Sequence, residues 1–240
     1  MKKILHTSVI IIMVVAIFFT GIMFVLRYHE KGETNMPFDI SKISIISTID
    51  GQDVEDKKNT WNKVVEQNND IYIYIEKNEN YSKTEAIKNI IINNFRIAKN
   101  PKIGDISFYK PSTNENTIFE NLEEYKTEEI TFSGDQQTEI QKLQISNQGG
   151  IVAFRCANQN LGNYTSNDKE LNYKKLLKGI NATYEDINAE IYFDIDIVLE
   201  NELKFKATVQ LNIPAKDVIE KGTASEELTV LNIVFKRVEN

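Results

Sequence analysis

Histidine is scarce in this chain, and it is missing where chemistry would need it. Of 240 residues only His6 and His29 are histidines, and both lie near the N-terminus. Everything beyond them lacks an imidazole. That excludes Ser-His-Asp and Cys-His nucleophilic arrangements there. It also excludes histidine-ligated zinc, H-E-x-x-H sites and c-type haem. Cysteine occurs once, as Cys156. A single cysteine builds no intrachain disulfide, no C-x-x-C redox pair and no thiolate metal site. It shares a strand face with Val152 and Phe154 and reads as a buried core thiol. No G-x-x-x-x-G-K-[ST], G-x-G-x-x-G or G-x-S-x-G occurs, so a glycine-rich phosphate cradle is unsupported. No cofactor and no catalytic residue is expected on these grounds.

Acid is missing from residues 1–29, whose only basic residues are Lys2, Lys3 and Arg27. The rest of the chain is therefore more acidic still than the net −7 of the whole. Such a surface repels phosphate backbones and anionic headgroups, which argues against nucleic acid as a partner.

What is present first is an apolar run. Ile4 to Leu26 carries no charge and spells Ile10-Ile11-Ile12, Val14-Val15, Ile17-Phe18-Phe19 and Phe24-Val25-Leu26. As a helix it would be roughly 34 Å long at about 1.5 Å per residue, against a hydrocarbon core of about 30 Å. A cleavable signal has a shorter apolar region and a small-residue site; this run ends Phe24-Val25-Leu26-Arg27. The expectation is an uncleaved transmembrane signal-anchor over residues 1–29, with the lipid bilayer as partner through residues 4–26. Lys2 and Lys3 at one end and Arg27 and Lys31 at the other balance, so flanking charge does not set orientation. The export-like Lys-Lys start favours the N-terminus inside and the domain on the extracytoplasmic face of the cell membrane.

Residues 30–37, polar and closed by Pro37, read as a juxtamembrane linker. Residues 38–240 then form a β-rich domain, with room for two sub-domains. Its clearest pattern lies near the C-terminus. From Ala189 to Leu199 and from Leu203 to Ile213 every odd position is apolar and nearly every even one polar. Period two over that length predicts two half-buried strands. A two-residue loop would set Leu199 opposite Lys204 and turn one apolar row to water. A three-residue loop avoids this and sets either Asp196 opposite Lys206 or Glu200 opposite Lys204.

Further strands are predicted at 43–48, 70–76, 90–97, 105–110, 124–132, 143–146, 151–157 and 228–238. Asn147-Gln148-Gly149-Gly150 marks a turn. Helix is minor: Ser82-Lys83-Thr84-Glu85 has the form of a capping box, and short turns are expected at 173–179 and 215–220. Strands at such spacing, with no long amphipathic helix between them, predict an antiparallel β-sandwich, immunoglobulin-like or related.

Carboxylates and polar loops remain as candidate chemistry. Asp194 and Asp196 share a strand face. They are either a solvated face opposite Lys206 or an acid pair for glycan hydrolysis, which would need a cleft. Asp50, Asp53, Glu55 and Asp56 form an acidic loop without EF-hand spacing; a solvated loop and a weak calcium site both fit. The stretch 158–170 reads as the longest polar loop, and loops on a rigid sandwich often bind. Asn160, Asn163, Tyr164, Asn167 and Asp168 are its candidate ligand residues. Tyr72 and Tyr74 are core if both faces of their strand are covered, and an aromatic strip if one is open. The sequence thus reads as a membrane-anchored module that binds a protein or an envelope polymer and is not an enzyme. A carboxylate-based glycan enzyme and a structural subunit of a membrane complex are the alternatives.

Overall fold

The computed structural model describes residues 2–33, 35–54, 60–114, 116–134, 143, 145–168, 170–229 and 233–238. On the N-terminal helix, side chains are described from Met13 to His29 and at Lys31. That helix, α1, spans Lys2–Lys31. Among the described residues no helix is long and apolar enough to cross a membrane; Ile4–Ile12 of the apolar run precede the described side chains. The helix ends at Gly32, whose φ of +67° suits a glycine C-terminal cap. Its amide donates to the Tyr28 carbonyl at 2.8 Å.

The chain then forms β1 (Phe38–Asp53), β2 (Trp61–Lys77), β3 (Ile87–Lys99), β4 (Asp105–Tyr109), β5 (Glu129–Ser133), β6 (Ile145–Ser146) and β7 (Gly149–Ser166). Two short helices follow, α2 (Leu176–Gly179) and α3 (Tyr184–Ile187). The hairpin β8 (Glu190–Leu199) and β9 (Lys204–Asn212), helix α4 (Lys216–Lys221), β10 (Thr223–Leu228) and β11 (Lys236–Val238) complete it. One sheet runs β10-β1-β2-β7-β4, with β6 also on β7; the other runs β11-β9-β8-β3-β5. Every pairing is antiparallel. The chain is mainly β, in two antiparallel sheets, consistent with a sandwich.

Alternation builds the core. Ile43, Ile45, Ile71, Ile73 and Phe154 of the first sheet meet Ile90, Ile92, Phe193, Ile195 and Ile197 of the second in one apolar cluster. Phe154 and Phe193 cross edge to face with centroids 5.0 Å apart, a favoured aromatic geometry. Beyond that cluster the strands continue into a second, smaller core. There Ile49, Val65, Leu161 and Tyr164 pack with Leu176, Leu177, Ile187 and Val218 of the short helices. A polar belt divides the two. Ser47 donates to Asn69 Oδ1 at 2.7 Å, Asn69 Nδ2 to the Cys156 carbonyl at 2.9 Å, and Gln67 Nε2 to the Pro214 carbonyl at 2.8 Å.

The C-terminal hairpin has the register that sets Asp196 opposite Lys206. Its loop is three residues, Glu200-Asn201-Glu202, with Glu202 at φ +65°. The Glu202 amide donates to the Leu199 carbonyl and the Leu199 amide to the Leu203 carbonyl. A turn closed by a left-handed residue is the usual three-residue solution.

Several expectations are corrected. The capping-box pattern at Ser82–Glu85 starts no helix. Glu85 instead accepts from Asn201 Nδ2 at 2.7 Å, and strand β3 begins two residues later. A capping box does form at Thr183–Asp186, where α3 starts. The expected final strand at 228–238 is divided between β10 and β11, on different sheets; residues 230–232 lie outside those described. The strand predicted at 124–132 begins with a 3-10 turn at Glu123–Tyr125. Lys126 bridges to Tyr109 beside the first sheet before Glu129 joins the second.

The end of the expected linker, Met36 and Pro37, touches the sandwich. Met36 is buried in the main core. Asn78 donates from its backbone to the Pro37 carbonyl and from Nδ2 to the Met36 carbonyl, both at 2.9 Å.

Candidate functional site

Strand β1 leaves the end of α1 and runs 16 residues, about 50 Å at 3.3 Å per residue. The second core and its helices therefore lie at the end of the sandwich remote from α1. A groove of about 660 Å³ opens there, between α3, the start of β8, the end of β9 and β10. Tyr184 is its aromatic member and is 45% exposed. Asn188 Nδ2 donates to the Tyr184 hydroxyl at 2.9 Å and aims the ring. The helix carrying Tyr184 is set by Asp186, which accepts from the Thr183 amide at 2.9 Å and from its hydroxyl at 2.6 Å. Those two bonds hold the Asp186 carboxyl below its ordinary value. Glu190, Asp217 and Glu226 line the groove together with Lys99 and Lys216. A ring with mixed charges around it can stack on and hydrogen-bond to a polar chain.

Sequence reasoning missed this groove. Thr183-Tyr184-Glu185-Asp186 carries the helix-start signal, and Tyr184 and Asn188 stand one helical turn apart, but nothing local announces that β9 and β10 converge on them.

The loop predicted at 158–170 is corrected. Most of 158–170 is strand: β7 continues to Ser166 and pairs with β2 up to Trp61. Its polar side chains alternate with Leu161 and Tyr164, which are buried in the second core. Asn160, at φ +59°, and Gly162 take up the irregularity of the strand. Tyr164, expected as an exposed aromatic, is 7% exposed, and its ring lies so close to Gly179 that a Cβ there would stand 2.5 Å from it. Asn160 and Asn163 are exposed. Asn167 accepts from the Thr60 hydroxyl at 3.1 Å, and the Asp168 carbonyl accepts from Trp61 Nε1 at 2.9 Å.

Asp194 and Asp196, expected on a solvated face, are 3% and 1% exposed. Long cationic side chains from the neighbouring strands lie over them. Lys206 Nζ stands 2.9 Å from Asp194 and Lys204 Nζ 2.9 Å from Asp196. The ion pairs are thus diagonal, although Asp196 faces Lys206 in register. Asp194 also accepts from Asn94 at 2.7 Å, Thr208 at 2.7 Å and Arg96 at 3.2 Å. Burial pushes the Asp194 carboxyl up, but the bonds from Asn94, Thr208 and Lys206 together hold it below its ordinary value. A general acid in glycan hydrolysis needs the opposite shift, so Asp194 does not suit that role.

On the outer face of the first sheet, Arg155 forks onto Asp70 at 2.6 and 3.1 Å. Asn121 crosses to Glu66 at 2.9 Å and to Asn68 at 2.7 Å. Phe119 lies edge-on to Tyr72 at 6.3 Å. These contacts decide between core and open strip for the two tyrosines: Tyr72 is covered by Phe119, and Tyr74 sits beneath Lys42 Nζ at 4.3 Å. Burial, with the Asp70 charge beside it, pushes Tyr72 up to about 12. Cys156 is buried in the main core, and burial pushes its thiol up to about 12. In the expected acidic loop, Asp50 lies within β1 and Asp53 ends it, pairing with Lys63 at 2.7 Å; Glu55 and Asp56 lie outside the described residues. Among the described residues no group of three or more His, Cys, Asp or Glu is placed to hold a metal ion.

No protein-family model matches the chain, and no curated protein does. Among solved structures, one described as manganese lipoxygenase of Gaeumannomyces graminis with a partial structure of zonadhesin of Komagataella pastoris is similar at a low level. The likeness has 9% identity over 85% of this chain and 89% of that one, with a TM-score of 0.20. It carries no argument about this chain.

Proposed function

We propose that this protein is a single-pass, membrane-anchored interaction module. In this reading α1 is an uncleaved signal-anchor, the N-terminus is inside, and an immunoglobulin-like sandwich stands on the extracytoplasmic side. One observation carries it: the described apolar side chains of α1 are bare. Ile17, Phe18, Met23 and Phe24 are 66–72% exposed, and none of the described α1 side chains belongs to either core. An apolar column of that size is not left in water. Together with Ile4–Ile12, known from the sequence, it is long enough for a bilayer. The groove around Tyr184, remote from α1, is the proposed contact for a protein or an envelope polymer. It is not proposed to do chemistry.

Two measurements test the reading. Intact cells carrying a tagged full chain are treated with protease, and membranes are extracted at high pH. Loss of the domain from intact cells and retention of α1 in the pellet are expected. Full protection until lysis would overturn the orientation, and release at high pH would overturn the anchor.

A further inference from the structure

We propose that α1 and the sandwich form one rigid body, joined by a clasp in which the C-terminal strand β11 grips the end of the helix. The bonds that make it lie on both sides of the joint. The Arg237 amide donates to the Tyr28 hydroxyl at 3.0 Å. The Glu33 amide donates to the Phe235 carbonyl at 2.7 Å. Between them Gly32 turns the chain at φ +67°, pressed so closely on that carbonyl that a Cβ would stand 2.2 Å from the oxygen. No residue but glycine combines that φ with that approach. Phe235 is itself buried in the main core. Below the joint, Asn78 holds the carbonyls of Met36 and Pro37. A freely swinging tether has no such sequence of contacts.

The clasp is also the part of the joint that can open. Strand β11 has three residues, at the edge of its sheet, and short edge elements open locally at low cost. Arg237 turns its N–H toward Tyr28, so that bond adds nothing to the ladder with β9. Closed, the clasp presents the groove end at a fixed attitude to whatever surface holds α1; open, it converts a stalk into a tether.

The test measures distances between spin labels in the full chain in detergent micelles. Phe19→Cys on α1 and Glu226→Cys on β10 carry the labels; both positions are exposed, and Cys156 is buried. A single narrow distance distribution is expected, and its width should at least double with Gly32→Val. Should that variant fail to fold, Arg237→Pro removes the donor to Tyr28 on the edge where proline is tolerated, and should also broaden the distribution. A broad distribution in the unaltered chain overturns the proposal. So does a narrow one that both folded variants leave unchanged.

Discussion

Asp194 is buried as a carboxylate because six groups around it and its neighbour, Asn93, Asn94, Arg96, Thr208, Lys204 and Lys206, supply donors. Its folded-state value is depressed, so its stabilisation is present above the unfolded value of about 3.9 and is lost as pH falls through the folded one. Stability measured by urea unfolding is therefore expected to be level near neutrality and to fall below about pH 4. Asp194→Ala should cost about 2–3 kcal/mol at pH 7, because charged hydrogen bonds and a buried donor set are left open, and should flatten the acid limb. An acid limb unchanged by that substitution would show that Asp194 is not its source. A second residue tests the remote core. Gly179→Ala puts a methyl 2.5 Å from the Tyr164 ring and should cost about 1–3 kcal/mol by overpacking, read as a lowered Tm.

The β8–β9 hairpin shows how much of an element is written locally. Its two apolar rows and its three-residue loop follow from side-chain period alone, and the observed register is one of the two that period allowed. Which of them forms is decided by the turn, through a left-handed Glu202. Glu202→Gly is expected to raise stability by about 0.5–1 kcal/mol. The relief of left-handed strain exceeds the loss of its exposed pair with Lys88, worth under about 1 kcal/mol. A lower Tm for that variant would show that the ion pair outweighs the strain. Strand β7 is the opposite case. From Asn158 to Ser166 its composition is that of a loop, yet it is strand because β2 pairs with it and the second core receives Leu161 and Tyr164. Polarity was the wrong guide there: the outward positions of a long strand are polar for the same reason loops are.

The whole molecule is a long sandwich with two unequal cores, and they should not share one stability. Phe154→Ala in the main core should cost about 3–5 kcal/mol and destabilise every probe together. Leu176→Ala in the second core should act first on α2–α4 and the end of β7. Hydrogen exchange tests this: amides of α2, α3 and α4 are expected to exchange faster than those of β3 and β8. Equal protection would mean that the polar belt of Ser47, Gln67 and Asn69 does not divide the domain.

From residues alone follow the apolar run, the β class, the hairpin and the absence of histidine chemistry beyond α1. Each depends only on composition or on a period of two, and these act between neighbours in sequence. The groove around Tyr184, the burial of Asp194 and Asp196, and the burial of Met36 in the main core were decided by tertiary structure. Each brings together segments far apart in the chain, as Tyr28 is from Arg237 and Tyr184 from Glu226. No local pattern records which distant donor or backbone a side chain will meet.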